Sequence, residues 1–446
     1  MRPAGPRRRS RQRWLLLPAI VALLALQVAM AAQVQARAGD LDPGFGTGGR
    51  VVTDVSGDLD DAHAVAVQPS GRIVAAGFAF GPTGLHDFAL TRYRPNGTLD
   101  PTFGTGGKVI LDFAGLGSGD EINALAVRPG GRIVAAGTAV GEGFVSDFAL
   151  ARFRFDGTLD PAFGTGGKVT TDFGGSSDQI NGLAVQADGK LVAAGSVITA
   201  EGGENFGVAR YHPDGTLDAG FGTGGKVVTA VAEGDAFDRA QAVALQGDGK
   251  IVAAGLAAAG PDVAFALVRY HPDGTLDAGF GAGGKVTTRF DGFFNEANAV
   301  VVQAGGRIVA AGGLATGAAG AMAFAAYRPN GSLDPGFGTG GKLTVDFAGT
   351  GGAAALVALA GGRLAAAGTA DPGTGTGRDF ALVRLRHNGT LDPGFGVGGK
   401  VTTDFGGGPD VARALAVQAD GKLVAAGSPD NIGFGSDFAL ARYRRW

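Results

Sequence analysis

The sequence predicts an all-β fold, and three observations lead to this prediction. Short runs rich in Val, Ile, Phe and Ala are bounded by Gly, Pro and Asp, as strands are. No window shows a sustained helical period of apolar residues. A nine-residue string of the form LDPGFGTGG recurs seven times, beginning at Leu41, Leu99, Leu159, Leu217, Leu276, Leu333 and Leu391. The copies are 57 to 60 residues apart, so repeats fill residues 37–446.

Each repeat contains four candidate strands. In the second repeat they are residues 108–113, 124–128, 132–137 and 148–153. The two middle strands are apolar or small on both faces, which indicates a sheet covered on both sides. Four-stranded sheets repeated seven times are typical of a seven-bladed β-propeller, and an open solenoid is the structural alternative.

The two ends of the repeat array favour a closed ring. Residues 50–55 have the character of the strand that would follow residues 438–446. One blade would therefore combine the N-terminal strand with the C-terminal strands. This pairing would close the propeller and cover a sheet edge that is otherwise exposed.

Three motifs carry a resemblance to a known family. They are LDPGFGTGGK, AVQADGKLVAAG at residues 416–427 and DFALARYR at residues 437–444. Together they resemble the delta-60 repeat family of bacterial β-propellers across residues 37–446. The resemblance implies the fold, and the family brings no agreed activity or catalytic residues.

Residues 1–36 differ from the rest of the chain. Six arginines lie between Arg2 and Arg13, residues 14–30 are apolar, and small residues follow up to Ala36. This order is typical of a secretory signal peptide, with cleavage near Ala31 or Ala36. We expect a secreted, periplasmic or cell-surface protein without membrane attachment after cleavage. An uncleaved anchor is the alternative.

Composition excludes several classes of site. The formal net charge is −3 and no basic tract follows the leader, which argues against nucleic-acid binding. The chain has no cysteine, so disulfides, thiolate metal sites and a cysteine nucleophile are excluded. We expect the partner to be a ligand or protein, still unidentified, at the face whose loops vary between repeats.

The recurring corner is predicted to be structural. Gly supplies the positive φ of its tight turn, and Asp100 and its counterparts are expected to accept backbone N–H groups. An arginine precedes the turn in six repeats, and Ala326 stands there in the fifth. We therefore predict a repeated Arg–Asp pair, formed by Arg92, Arg152, Arg210, Arg269, Arg384 and Arg442. The carboxylates of Asp214 and Asp218 leave calcium as an alternative use of the corner, although calcium requires more oxygen ligands.

A polar pattern precedes the second strand type. In six repeats an acid or amide is followed three residues later by another polar side chain. In a propeller these residues would surround one mouth of the central channel, where they could contact a polar ligand. The alternative is that the first residue of each pair holds the backbone entering the strand. The candidate ligand contacts are Asp60, His63, Asp120, Asn123, Asp178, Asn181, Asp238, Gln241, Asn298, Asp410 and Arg413.

These observations favour an exported, non-catalytic module for binding or scaffolding, with no cofactor and no assigned catalytic or metal residue. The alternative is a secreted hydrolase or lyase that acts on a polar polymer at the channel mouth. His63 and His86 are the only histidines outside the recurring corner, and Arg413 would lie next to them across the closure. They are the best catalytic candidates under that alternative.

Overall fold

The computed structural model describes residues 37–445 except 82–83, 114–118, 142, 144, 201, 233–236, 260–261, 318–319, 374, 376, 407 and 432–434. Ala38–Trp446 form one compact unit. The signal peptide predicted at residues 1–36 lies outside the described residues. Within the described ranges, no helix has the length and apolar character that crossing a membrane requires.

The described residues form strands and two 3-10 turns, Pro129–Gly131 and Ala360–Gly362. The strands, in chain order, are β1 (Arg50–Thr53), β2 (Asp60–Val67), β3 (Ile73–Phe80), β4 (His86–Tyr93), β5 (Lys108–Leu111), β6 (Glu121–Val127), β7 (Ile133–Val140), β8 (Ser146–Phe153), β9 (Lys168–Thr171), β10 (Asp178–Val185), β11 (Leu191–Ile198), β12 (Glu204–Tyr211), β13 (Lys226–Thr229), β14 (Phe237–Leu245), β15 (Ile251–Ala259), β16 (Asp262–Tyr270), β17 (Lys285–Thr288), β18 (Phe294–Val302), β19 (Ile308–Ala315), β20 (Gly320–Tyr327), β21 (Lys342–Val345), β22 (Gly351–Ala358), β23 (Leu364–Ala370), β24 (Asp379–Leu385), β25 (Lys400–Thr403), β26 (Asp410–Val417), β27 (Leu423–Asn431), β28 (Gly435–Ser436) and β29 (Phe438–Tyr443).

Consecutive strands pair antiparallel in groups of four. Four separate sheets are β2–β5, β6–β9, β18–β21 and β22–β25. The groups β10–β13 and β14–β17 are joined into one larger sheet by a single parallel bridge between Glu204 and Phe237. The last sheet contains β26, β27 and β29, and the short β28 pairs with β27. The predicted fold class, all-β with four-stranded units, is confirmed.

The fourth strand of the last sheet comes from the other end of the chain. Strand β1 pairs antiparallel with β29, in a register that runs from Arg50 opposite Ala441 to Thr53 opposite Phe438. The outer strands are shorter than the sequence suggested, since β1 ends at Thr53 rather than at residue 55. The first strands are longer, because the polar pattern that was expected to precede them lies inside them, as in β10, which begins at Asp178.

The apolar core lies between neighbouring sheets. Strand β3 is buried along both faces except at Phe78 and Phe80, as expected for a covered sheet. One cluster joins Ile73 and Ala75 of the first sheet to Phe438 and Leu440 of the last. The alanines of the middle strands let adjacent sheets pack closely, and such burial is the main favourable term in folding.

The recurring corner connects adjacent sheets. In the second copy, the backbone N–H of Gly104 donates to Asp156 O of the next copy at 2.7 Å. Gly104 has a φ of 51°, and a Cβ there would lie 2.1 Å from Lys108 O. Arg92 stacks over the ring of the buried Phe103, 4.7 Å from its centroid. The string therefore recurs because each sheet needs the same joint to the next one.

The predicted Arg–Asp pair is confirmed in all six repeats that have the arginine. Arg92 lies 3.0 Å from Asp100, and where Ala326 replaces the arginine, Arg307 approaches Asp334 at 3.4 Å instead. The other five pairs are Arg152–Asp160, Arg210–Asp218, Arg269–Asp277, Arg384–Asp392 and Arg442–Asp42.

Candidate functional site

The first strands of the sheets, called inner strands from here on, contact one another in succession. Each inner strand contacts the inner strand of the sheet before it and of the sheet after it, and β26 contacts β2. The polar pattern identified in the sequence lies on these strands. The inner strands are β2, β6, β10, β14, β18, β22 and β26.

Every inner strand contains a β-bulge at the second polar position of the pattern. In β10 the pairing shifts between Ile180 and Gly182, which leaves Asn181 without an opposite residue. The glycine facing the bulge is required, since a Cβ on Gly195 would lie 1.7 Å from Gln179 O. A bulge re-aims its side chain, and here it turns a polar group out of the ladder. The bulged residues are His63, Asn123, Asn181, Gln241, Asn298, Ala354 and Arg413.

The first polar position is buried and bound to backbone. Asp60 accepts the N–H of Val55 at 2.5 Å, and Asp178 accepts that of Phe173 at 2.7 Å. This is the structural alternative considered from the sequence, in which the acid holds the chain that enters the strand. These side chains are shielded from bulk solvent in this conformation, and their contact with a ligand stays a prediction. They are Asp60, Asp120, Asp178, Asp238, Asn295 and Asp410, all at most 1% exposed.

The second polar position links one sheet to the next. Asn181 Nδ2 donates to Ala240 O at 2.9 Å, and Asn298 Nδ2 donates to Ala353 O at 2.9 Å. Asn123 donates in the same way to a carbonyl of β10, and Gln241 donates to Glu296 Oε1 at 2.6 Å. These side chains bridge inner strands, and their contact with a ligand stays a prediction.

A charged cluster lies where the first sheet meets the last. His63 Nε2 is 3.4 Å from Asp61 Oδ2, and His63 Nδ1 is 3.3 Å from Glu121 Oε1. The same ring nitrogen, Nδ1, lies 3.0 Å from Asn123 Oδ1. Arg413 Nη2 completes the cluster at 2.7 Å from Asp61 Oδ2. We call His63, Asp61, Glu121 and Arg413 the inner cluster.

The inner cluster fixes the protonation state of its histidine. Burial alone would lower the pKa of His63, but its hydrogen bonds to Asp61 and Glu121 outweigh burial and raise the pKa to about 9. Burial would likewise raise the pKa of Asp61, but the contacts with His63 and Arg413 lower it to about 2. His63 is thus an imidazolium at neutral pH, with both ring nitrogens engaged by acceptors. It has no lone pair with which to take a proton from a substrate.

The two histidines singled out in the sequence do not form a pair. His86 stacks on Phe78 with the ring centroids 4.1 Å apart, and His63 meets the edge of the same ring at 5.5 Å. Sequence reasoning missed Asp61 and Glu121, although the letters DDAH and DEIN carry an acid in the position that reaches the preceding bulge. The residue that each acid contacts lies on a neighbouring inner strand, and the sequence around the acid does not identify it.

Two kinds of candidate metal site, the recurring corner and groups of three aspartates, differ in their surroundings. Asp218 of the recurring corner is held by Arg210 at 2.8 Å and Lys190 at 3.0 Å, so a cation there would compete with two positive charges. Among the residues that the structure describes, four other groups of three aspartates could hold a metal ion, and in each group one carboxylate oxygen from every member lies within 4.8 Å of the others. They are Asp54–Asp60–Asp437, Asp87–Asp112–Asp120, Asp147–Asp172–Asp178 and Asp379–Asp404–Asp410.

A family model matches six segments of this repeat pattern. The family is described as a domain of unknown function (DUF5122) with a β-propeller fold, and the matches cover residues 68–103, 129–163, 186–221, 246–280, 362–395 and 418–445. Together with the four-stranded sheets, these matches support a β-propeller repeat fold. The comparison supports a propeller repeat family, whereas the resemblance to the delta-60 family stays a prediction. The four-stranded sheets are accordingly called blades below.

Solved structures similar to this propeller share little sequence with it. A virginiamycin B lyase from Staphylococcus aureus is 9% identical with a TM-score of 0.47, and the match covers 88% of this chain and 98% of that one. An ulvan lyase is 10% identical with a TM-score of 0.49, covering 89% and 96%. A protein of unknown function from Dyadobacter fermentans is 12% identical with a TM-score of 0.47, covering 90% and 100%. No curated relative matches the chain.

Proposed function

We propose that the protein is an exported, closed, seven-bladed propeller that acts as a non-catalytic module for binding or scaffolding. Three contacts support closure. Strand β1 pairs with β29, the inner strands β26 and β2 touch, and Asp42 is ion-paired with Arg442. Closure leaves no blade edge free to pair with another molecule, so binding is expected at the faces of the ring.

The observation that carries the binding role is a set of exposed apolar side chains at one face. Each lies at the start of a first or third strand of a blade or directly before it, and these two strand types begin at the same end of the blade. A contiguous exposed apolar patch marks an interaction site, and we propose that these side chains contribute to one such surface. They are Leu59, Leu85, Val145, Phe237 and Phe293, each between 37% and 54% exposed.

The spread of these side chains favours a macromolecular partner. Leu59 and Leu85 belong to the β2–β5 blade and Val145 to the β6–β9 blade. Phe237 belongs to the β14–β17 blade, and Phe293 to the β18–β21 blade. A small molecule would not reach all of them. A protein or polymer lying across the face would cover them together and exclude water from their surfaces.

The inner cluster argues against His63 as a general base. A general base must be unprotonated, and the two carboxylates hold His63 as a cation. The alternative function, a secreted hydrolase or lyase on a polar polymer, is favoured only by the fact that this cluster breaks the symmetry of the blades. Under that alternative, substitution of His63 would abolish turnover of a polysaccharide.

Export rests on the leader in residues 1–36. Its basic, apolar and small-residue segments follow the order of a signal peptide. N-terminal sequencing of exported protein should give a start just after Ala31 or Ala36. A full-length, membrane-bound product would favour the anchor instead.

The binding role can be tested with two matched variants of the mature protein. One carries Leu59→Ser, Leu85→Ser, Val145→Ser, Phe237→Ser and Phe293→Ser. The control carries Val52→Ser, Ile110→Ser and Val228→Ser on the outer strands, where the side chains are equally exposed. We expect the first variant alone to lose retention on cell-envelope material from the producing organism. Equal retention of wild type and both variants would refute the assigned face, and turnover that depends on His63 would refute the non-catalytic role.

A further inference from the structure

Three aspartates meet at each of four junctions between blades. The junctions join the last blade to the first, the first to the second, the second to the third, and the sixth to the seventh. At each one, carboxylate oxygens from three separate segments lie within 4.8 Å of one another. We call these groups the junction triads, and they are distinct from the inner cluster.

The fold assembles every triad in the same way. In the second junction, Asp87 lies on the third strand of its blade, Asp112 directly follows the outer strand, and Asp120 directly precedes the inner strand of the next blade. The backbone N–H of Asp120 donates to His86 O at 2.9 Å, which holds the crossing segment against the third strand. A group bound by all three carboxylates would therefore join two blades.

Two buried triad carboxylates, those of Asp87 and Asp410, each have one oxygen without a hydrogen-bond donor among the described residues. Asp87 is 3% exposed, and its Oδ1 has no hydrogen-bond donor among the described residues. Asp410 is 1% exposed and its Oδ1 is in the same situation. No cationic side chain in the described ranges forms an ion pair with Asp87. Burial, then Asp112 and Asp120, raise the pKa of Asp87 to about 6, as expected for a buried carboxyl close to two other carboxylates.

We propose that the junction triads bind hard divalent cations of the calcium type, one at each junction, and that these ions fasten adjacent blades together. Calcium takes six to eight oxygen ligands in flexible geometry, and carboxylates are its main protein ligands. Each of the three carboxylates offers one oxygen to a shared ion, and water can complete the shell. Magnesium demands a stricter octahedral arrangement and keeps more of its water. The proposal does not depend on the binding role proposed above.

The remaining three junctions provide an internal comparison, because they lack the triad. Arg289 even replaces the exposed acid in one of them, which would repel a cation. The equivalent positions hold Asn205, Ala230 and Asp238; Ala264, Arg289 and Asn295; and Ala321, Asp346 and Gly351. Asp346 thus occupies the position of Asp112 without the two acids that would complete a site.

The test uses substitutions that leave the buried acids in place. The variant is Asp54→Asn, Asp112→Asn, Asp172→Asn and Asp404→Asn, at the most exposed member of each triad. Each asparagine keeps an oxygen that can accept the local turn N–H, such as that of Gly174, which lies 2.5 Å from Asp172 Oδ1. The matched control is Asp346→Asn. All proteins are freed of metal with EDTA and titrated with CaCl2 by calorimetry, and their thermal unfolding is followed with and without CaCl2.

We expect the wild type and Asp346→Asn to bind several calcium ions per chain and to unfold at a higher temperature in CaCl2. The fourfold variant should bind calcium at least about tenfold more weakly and lose the thermal shift, while remaining folded without metal. A single Asp112→Asn variant should lose one ion of the stoichiometry. The proposal is overturned if the wild type shows neither heat nor thermal shift with CaCl2, if the fourfold variant keeps the full response, or if Asp346→Asn loses it.

Discussion

The guanidinium of Arg442 lies 3.0 Å from the carboxylate of Asp42, although the two residues come from opposite ends of the propeller. Both side chains are largely buried, at 6% and 12% exposure. The pair repeats the contact that Arg92 makes with Asp100 within neighbouring segments of one blade. The two ends of the chain are thus joined by the same contact that recurs at the other corners.

Substitution of Arg442 by leucine should lower the free energy of unfolding by about 2 kcal/mol or more, because it removes one of the two cations that pair with the buried Asp42 and leaves only Lys422, at 3.1 Å. Urea unfolding measures the change. Arg94→Leu, at an exposed arginine directly after β4, is the control and should change stability by about 0.5 kcal/mol or less. A loss below about 1 kcal/mol for Arg442→Leu would contradict the importance of the terminal joint.

The pairing of β1 with β29 can be tested on the two faces of one strand. Val51 packs against the core between the first and last blades, whereas Val52 is 48% exposed. Val51→Asp should cost about 2 kcal/mol or more, since it places a charge against an apolar surface. Val52→Asp should cost about 1 kcal/mol at most. Equal thermal unfolding midpoints for the two variants would mean that β1 does not dock as described.

The glycine opposite each bulge should not tolerate a side chain. A Cβ at Gly195 would lie 1.7 Å from Gln179 O, so Gly195→Ala must displace the inner strand. We expect a loss of about 3 kcal/mol or more in denaturant unfolding. Gly247, which has open space around its Cα and no positive φ, is the matched control. Gly247→Ala should stabilise by about 0.4 to 1 kcal/mol, and similar losses at both positions would rule out the bulge explanation.

His63 should give stability a specific pH dependence. Its folded-state pKa of about 9 lies above the ordinary 6.5, so its contribution is fully present below about pH 6.5 and is lost as the pH rises through 9. The stability difference between wild type and His63→Gln should therefore fall, by at most about 3 kcal/mol, between about pH 6 and pH 10. An NMR titration of the imidazole checks the pKa directly. A midpoint near 6.5 would show that the carboxylates do not hold the ring.

Much of the fold was predictable because its signals are local. The string beginning at Leu99 specifies a turn through glycine conformation and an Arg–Asp pair through residues eight positions apart, Arg92 and Asp100. Strands β3 and β7 are apolar or small on both faces, and this pattern predicted sheets that are covered on both sides. The polar pattern was recognised, but the roles of its two positions were not separable, because the bulge becomes visible only when Gly195 is seen to pair with Ile180 and leave Asn181 unpaired.

The sequence by itself determined the repeat, the strand types and the corner, since each depends on φ preferences and apolar runs within a few residues. Only the tertiary structure decided that His63 is held between Asp61 and Glu121, and that Asp87, Asp112 and Asp120 meet at a blade junction. Both groupings unite separate segments of the chain. Electrostatic interactions depend on distance through space, and the order of residues along the chain does not state those distances.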